Sequence, residues 1–151
     1  MPKLLPALVL AFALSAAPAC RSWFFGEQWY DMGTEYDVDF SIVWDAVRLT
    51  LIDEFKTLEY ERSAEGVLVT GWDEQLSYLA GEGFREQAHI RVEKGEKGYR
   101  VLVRVKRDVN EEPIYTLESR NARWRPTDDN AARAQHLVGL IHIKLKAVTD
   151  S

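Results

Sequence analysis

Phe84-Arg85-Glu86-Gln87-Ala88-His89-Ile90-Arg91-Val92-Glu93 and Tyr99-Arg100-Val101-Leu102-Val103-Arg104-Val105-Lys106 alternate in polarity around Lys94-Gly95-Glu96-Lys97-Gly98. A period of two marks a half-buried strand, and two such runs about a short glycine-bearing loop predict an antiparallel hairpin. Phe84, Ala88, Ile90, Val92, Val101, Val103 and Val105 then share one face. Arg85, Arg91, Arg100, Arg104 and Lys106 share the other. A sheet apolar on one side needs a cover on that side. The charged side is expected to be solvated, and is otherwise the natural docking surface.

The cover is expected from helices. Trp44, Val47, Leu51, Phe55 and Leu58 recur at three- and four-residue spacing after Ser41, a candidate N-cap, so a helix of some 14 residues ends near Phe55 or Lys56. After Thr127-Asp128-Asp129, a capping signal, Ala131, Ala134, Leu137, Val138, Ile141, Leu145 and Val148 form one helical stripe. Ile141 to Lys146 also alternates like a strand, but the stripe is longer and only Ile143 sits badly on it, which favours the helix. Glu35 to Phe40 alternates and predicts a first strand; Leu58 to Arg62 and Val67 to Trp72 predict a second hairpin around Ser63-Ala64-Glu65-Gly66; Asp73 to Gly83 reads as irregular. The expected fold class is α+β: a single domain, a mostly antiparallel sheet of about five strands with two helices on one face, in the order β-α-β-β-β-β-α.

The chain has 151 residues and a formal charge of -5, with pI about 5.3. Nucleic-acid binders carry basic stripes and high pI, so no nucleic-acid partner is expected. Lys3 followed by the apolar run Leu4 to Ala19 reads as a signal peptide over 1–19, too short for a bilayer span of about 20 residues. Cys20 is the only cysteine, so no disulfide can form within the chain. Leu14-Ser15-Ala16-Ala17-Pro18-Ala19-Cys20 resembles the lipobox of bacterial lipoproteins, with Ala17 where that family usually has Leu. The resemblance implies a diacylglycerol on the Cys20 thiol, a further acyl chain on its amine, and attachment to a membrane. Ala17-Pro18-Ala19 is equally an Ala-x-Ala site for ordinary signal peptidase, which leaves a soluble periplasmic form open. In the lipoprotein family an Asp after the Cys favours inner-membrane retention, so with Arg21 there the resemblance implies the outer membrane, facing the periplasm.

Residues 20–34 then form a lipidated arm and 35–149 the domain. Trp23, Phe24, Phe25, Trp29 and Tyr30 crowd the arm. They either pack back onto the domain, sit at the membrane interface, or meet a partner. Arg120, Arg123 and Arg125 flank Trp124 and could meet an acidic patch or headgroups; the plainer expectation pairs them with Asp128 or Asp129 and puts Trp124 in the core.

Val43-Trp44-Asp45-Ala46-Val47-Arg48, Leu58-Glu59-Tyr60-Glu61-Arg62 and Glu65-Gly66-Val67-Leu68-Val69-Thr70-Gly71-Trp72 are similar to helix-grip domains of envelope lipoproteins, such as the C lipoprotein of the outer-membrane β-barrel assembly machinery. That resemblance implies a non-enzymatic assembly factor.

Chemistry-bearing patterns are sparse. His89, His136 and His142 show no ligand spacing, and His136 and His142 are expected in solvent. Asp31, Glu35, Asp37 and Asp39 lack the glycine and terminal Glu of a calcium loop, and Gly81-Glu82-Gly83 is no dinucleotide fingerprint. No catalytic residue, metal or cofactor is expected. The expected function is an anchored adaptor that binds another envelope protein through residues such as Trp23, Phe24, Phe25, Arg123, Trp124 and Arg125. The alternative is a carrier of a small apolar ligand between sheet and helix, lined by Trp44, Trp72, Tyr78 and Phe84.

Overall fold

The computed structural model describes residues 27–76, 83–111 and 119–150. Along them run α1 (Phe40–Phe55), β1 (Leu58–Arg62), β2 (Val67–Thr70), β3 (Asp73–Gln75), β4 (Phe84–Lys94), β5 (Tyr99–Asn110), β6 (Trp124–Pro126) and α2 (Ala131–Thr149). All strand pairs are antiparallel, in the order β1-β2-β4-β5-β6, with β3 also paired to β4. The fold is α+β in a single domain, as the hairpin and the two apolar stripes require.

β4 and β5 pair without a slip from Phe84↔Val109 to Lys94↔Tyr99. Ala88, Ile90, Val92, Val101, Val103 and Val105 are buried beneath both helices. From α1 come Val43, Trp44, Val47, Leu51 and Phe55, and from α2 Ala134, Leu137, Val138, Ile141 and Leu145. Each fully buried branched aliphatic contributes about 1.5–3 kcal/mol, so this one layer carries most of the fold's stability. Ile143 is 66% exposed, which settles the helical period over the alternating one. Val148 ends the expected stripe in solvent.

Several boundaries differ from expectation, each for a local reason. No strand forms over 35–40. Tyr36 exchanges both backbone hydrogen bonds with Tyr99, and Tyr30 does so with Val103, pinning the arm to the edge of β5 at two points. Between them the chain bulges through Gly33, whose N–H donates to Asp31 Oδ1 at 2.7 Å. Gly98 lets the arm approach, because a side chain there would strike the Tyr36 carbonyl. α1 is capped by Asp39 rather than Ser41: the Asp39 carbonyl accepts from Ile42 and Val43, and Phe40 joins the helix with its ring against Trp44 and Tyr99.

β2 stops at Thr70 instead of Trp72. The Thr70 hydroxyl accepts from the Ala88 N–H at 2.9 Å, replacing a ladder bond, and Gly71 turns away to Thr57. β3 lies within the segment expected to be irregular. α2 is capped by Asn130, whose side chain accepts from the Arg133 N–H at 3.0 Å, and not by Thr127-Asp128-Asp129. Asn130 also donates to Glu86, a 2%-exposed carboxylate on the apolar face of β4, at 2.6 Å. No described helix is long and apolar enough to cross a membrane.

Candidate docking face

The alternation that buries one side of the sheet exposes the other, and no described helix covers that outer face. Its rows follow from the register: Arg85 beside Asp108, Gln87 beside Lys106, His89 beside Arg104 and Arg91 beside Leu102. Val69 flanks His89, Val67 flanks Arg91, and Tyr60 and Arg62 of β1 extend the two rows outward.

Three of the four tryptophans among the described residues sit against arginines of this face. The Arg85 guanidinium lies 4.1 Å from the centre of the Trp72 ring and 5.0 Å from that of Trp124, while its Nη2 pairs with Asp108 Oδ2 at 2.8 Å. Arg91 lies 4.5 Å from the Trp29 ring, and the Trp29 indole N–H donates to Glu27. On the β1 side Arg62 stands over Tyr60 at 5.1 Å and pairs with Glu65. A guanidinium on an indole face is attractive by about 0.5–2 kcal/mol, more when desolvated. These contacts hold the rings in place.

Arg104 is 12% exposed and is held by Asp129 at 2.6 Å and Glu27 at 2.7 Å. Those contacts, together with the hydrogen bond from Gln28 N to Asp129, lock the arm to the sheet. The indole of Trp29, and then Arg104, hold the Glu27 carboxyl below its usual range. Arg100 pairs with Asp31 at 3.7 Å. Lys106 makes no ion pair among the described residues.

His89 sits at the centre. Gln87 spends its amide N–H groups on Glu59 and the Thr70 carbonyl, so its oxygen accepts from His89 Nε2–H at 3.0 Å. Burial, then Lys106 and Arg104, push the imidazole down to about 4, against the opposing pull of Asp129 and Glu27. It is neutral at physiological pH.

The expected site residues divide. Cys20, Trp23, Phe24 and Phe25 lie outside the described residues. Trp124 is half-buried on the outer face and not in the core. Arg125 pairs with Glu111 at 2.6 Å rather than with Asp128 or Asp129, the Arg123 N–H donates to Asn110, and Asp129 is held by Arg104. The proposed carrier lining does not converge. Trp44 is in the core with its N–H on Glu61, Phe84 lies on the helix side under Arg107, Trp72 is on the opposite face, and Tyr78 is outside the described residues. His142 is not free in solvent, since its Nδ1 meets the Tyr36 hydroxyl at 2.9 Å. Burial, and then Asp31, raise the Tyr36 hydroxyl above its ordinary range.

Glu35 accepts from the Lys97 N–H and Asp31 turns to Gly33 and Arg100, so these acids do not share a site. Among the described residues no three His, Cys, Asp or Glu side chains gather as metal ligands would. An open groove of about 480 Å³ lies at one end of the sheet, between Phe40, Ser63 to Gly66, Val92, Lys94 and Tyr99.

The sequence carried a signal for half of this face. The parity of Arg85, Arg91, Arg100, Arg104 and Lys106 was legible, but not that Trp29, Trp72 and Trp124, far apart in the chain, would land on the same side. The chain matches no protein-family model, and it shows no significant similarity to any curated protein.

Proposed function

We propose that this is a non-enzymatic envelope lipoprotein, tethered to the periplasmic side of the outer membrane through acyl groups on Cys20, which docks onto another envelope protein through the outer face of its sheet. The observation that carries the reading is the helix-free face on which Trp29, Trp72 and Trp124 are each held against an arginine. Trp, Tyr and Arg dominate binding hot spots, and rings already fixed by their neighbours lose little entropy on association. Six residues lie between Cys20 and Glu27, where the arm meets the sheet, so Glu27 lies within about 25 Å of the anchor even if the chain is fully extended.

The carrier reading is weaker. Leu51, Ile90, Leu137, Ile141 and Leu145 occupy the space between helices and sheet, and the groove beside Phe40 is open to solvent. The test has two arms. Mass spectrometry of the native N-terminus is expected to find an acylated Cys20; an unmodified, freely soluble protein contradicts the tether. Pull-down from detergent extract is expected to recover an envelope protein in stoichiometric amount with the wild type and not with Trp72→Ala/Trp124→Ala. Equal recovery by both contradicts the docking face.

A further inference from the structure

The docking face is not evenly charged, and the imbalance names the partner's chemistry. On the outer side of β4 and β5 stand five cations, Arg85, Arg91, Arg100, Arg104 and Lys106, against two carboxylates, Glu93 and Asp108, in a chain whose net charge is -5. Three of the cations are satisfied internally: Arg85 by Asp108, Arg100 by Asp31, Arg104 by Asp129 and Glu27. Arg91 has the Trp29 ring and a longer-range attraction to Glu27, and neither it nor Lys106 makes an ion pair among the described residues. The rows of Lys106 and Arg91 are separated by the row of His89 and Arg104. That is four residues of strand, about 13–14 Å.

We infer that the occupant of this face is an acidic protein segment, lying across β4 and β5 with carboxylates on Lys106 and Arg91. The inference rests on the docking-face reading and adds the partner's chemistry to it. Complementary charge is what orients such an encounter and rejects wrong partners. The aromatic groups stand around the two cations, with Trp29 beside Arg91, Trp72 and Trp124 beyond Lys106, and Tyr60 on the β1 side. They can shield the new ion pairs from water, as the rim of a hot spot does.

A bilayer surface fits less well. Glu93, Glu59 and Glu27 border the cationic strip, and the whole chain is acidic, so a broad anionic plane would meet these carboxylates as well. A narrow segment threads between them. Its arrival would also be felt at His89, which faces Lys106, Arg104, Asp129, Glu27, Gln87 and Val69. Burial is the first cause of the neutral imidazole and the Lys106 and Arg104 charges the second, and a carboxylate placed on Lys106 offsets one of those charges.

The experiment uses the full-length protein in detergent micelles and a labelled peptide of alternating Glu and Ser, with a Lys-Ser peptide of the same length as control. Fluorescence anisotropy is expected to show binding of the Glu-Ser peptide only, weakened about tenfold by Arg91→Glu/Lys106→Glu. The milder Arg91→Gln/Lys106→Gln is expected to weaken it less while leaving the circular dichroism unchanged. The NMR-monitored pKa of His89 is expected to rise in the presence of the peptide. Equal binding to wild type and both variants, or preference for the Lys-Ser peptide, overturns the inference. Displacement of the Glu-Ser peptide by phosphatidylglycerol vesicles also overturns it, and assigns the face to a membrane. If the envelope partner is lost with Trp72→Ala/Trp124→Ala but kept by Arg91→Glu/Lys106→Glu, the docking face stands and the acidic occupant falls.

Discussion

His89 shows how much a single position reports on its surroundings. Its ordinary pKa of 6.5 falls to about 4 in the folded chain. Below pH 6.5 the unfolded chain takes up a proton that the folded chain refuses until about pH 4. The stability tied to the neutral ring is thus complete above pH 6.5 and is lost as the pH falls to 4. Because the ring is partly exposed, the loss is about 1–2 kcal/mol and not the full electrostatic value. Urea titrations at pH 7 and pH 4.5 are expected to show a larger drop for wild type than for His89→Gln; identical drops would remove His89 from the account. Side-chain burial makes an equally sharp contrast. Leu68 is fully buried and Ile143 is 66% exposed. Leu68→Ala is expected to cost about 2–5 kcal/mol and Ile143→Ser less than about 0.5, both read from chemical denaturation.

At the scale of elements, turns and caps do what the hydrophobic pattern does not specify. Gly66 closes the 3-10 turn Ser63–Glu65 with φ of +65°, and a side chain there would strike the Val92 carbonyl. Gly66→Ala is therefore expected to destabilise by more than about 1 kcal/mol and to speed exchange of the Val92 amide, which donates to the Gly66 carbonyl. Asn130→Ala removes the cap from the Arg133 N–H and, at once, the hydrogen-bond donor to the buried Glu86 carboxylate, which keeps only Arg107 at 3.8 Å. A loss of about 2 kcal/mol is expected, against about 1 for an ordinary N-cap replaced by Ala.

The same distinction explains what could be read in advance. β4, β5, α1 and α2 announce themselves because one face of each is apolar with the right period. β3 and β6 are three residues each, Asp73–Gln75 and Trp124–Pro126, and exist only because β4 and β5 offer ladder groups beside them. The expected strand at 35–40 has the right alternation but no continuous partner, since Gly33 lifts the chain from β5 between its two attachments. Thr70, an ordinary strand residue by composition, ends β2 through its own hydroxyl.

For the molecule as a whole, the two sides of the sheet differ in kind. The helix side holds the fold together; the outer side is polar, cationic along its two central strands and bordered by tryptophans whose positions tertiary structure alone brings together. That is why the arginine parity was legible and the Trp72–Arg85–Trp124 stack was not. The arm joins this outer side through Glu27 and Trp29, so a tether at Cys20 would hold the docking face near its anchor. Photo-crosslinking in intact cells tests this directly, with a benzophenone amino acid in place of either Lys106 on the outer face or Leu49, 53% exposed on α1. The account predicts a discrete protein adduct from position 106 and none from position 49. No adduct at 106, or the same adducts from both positions, would contradict it.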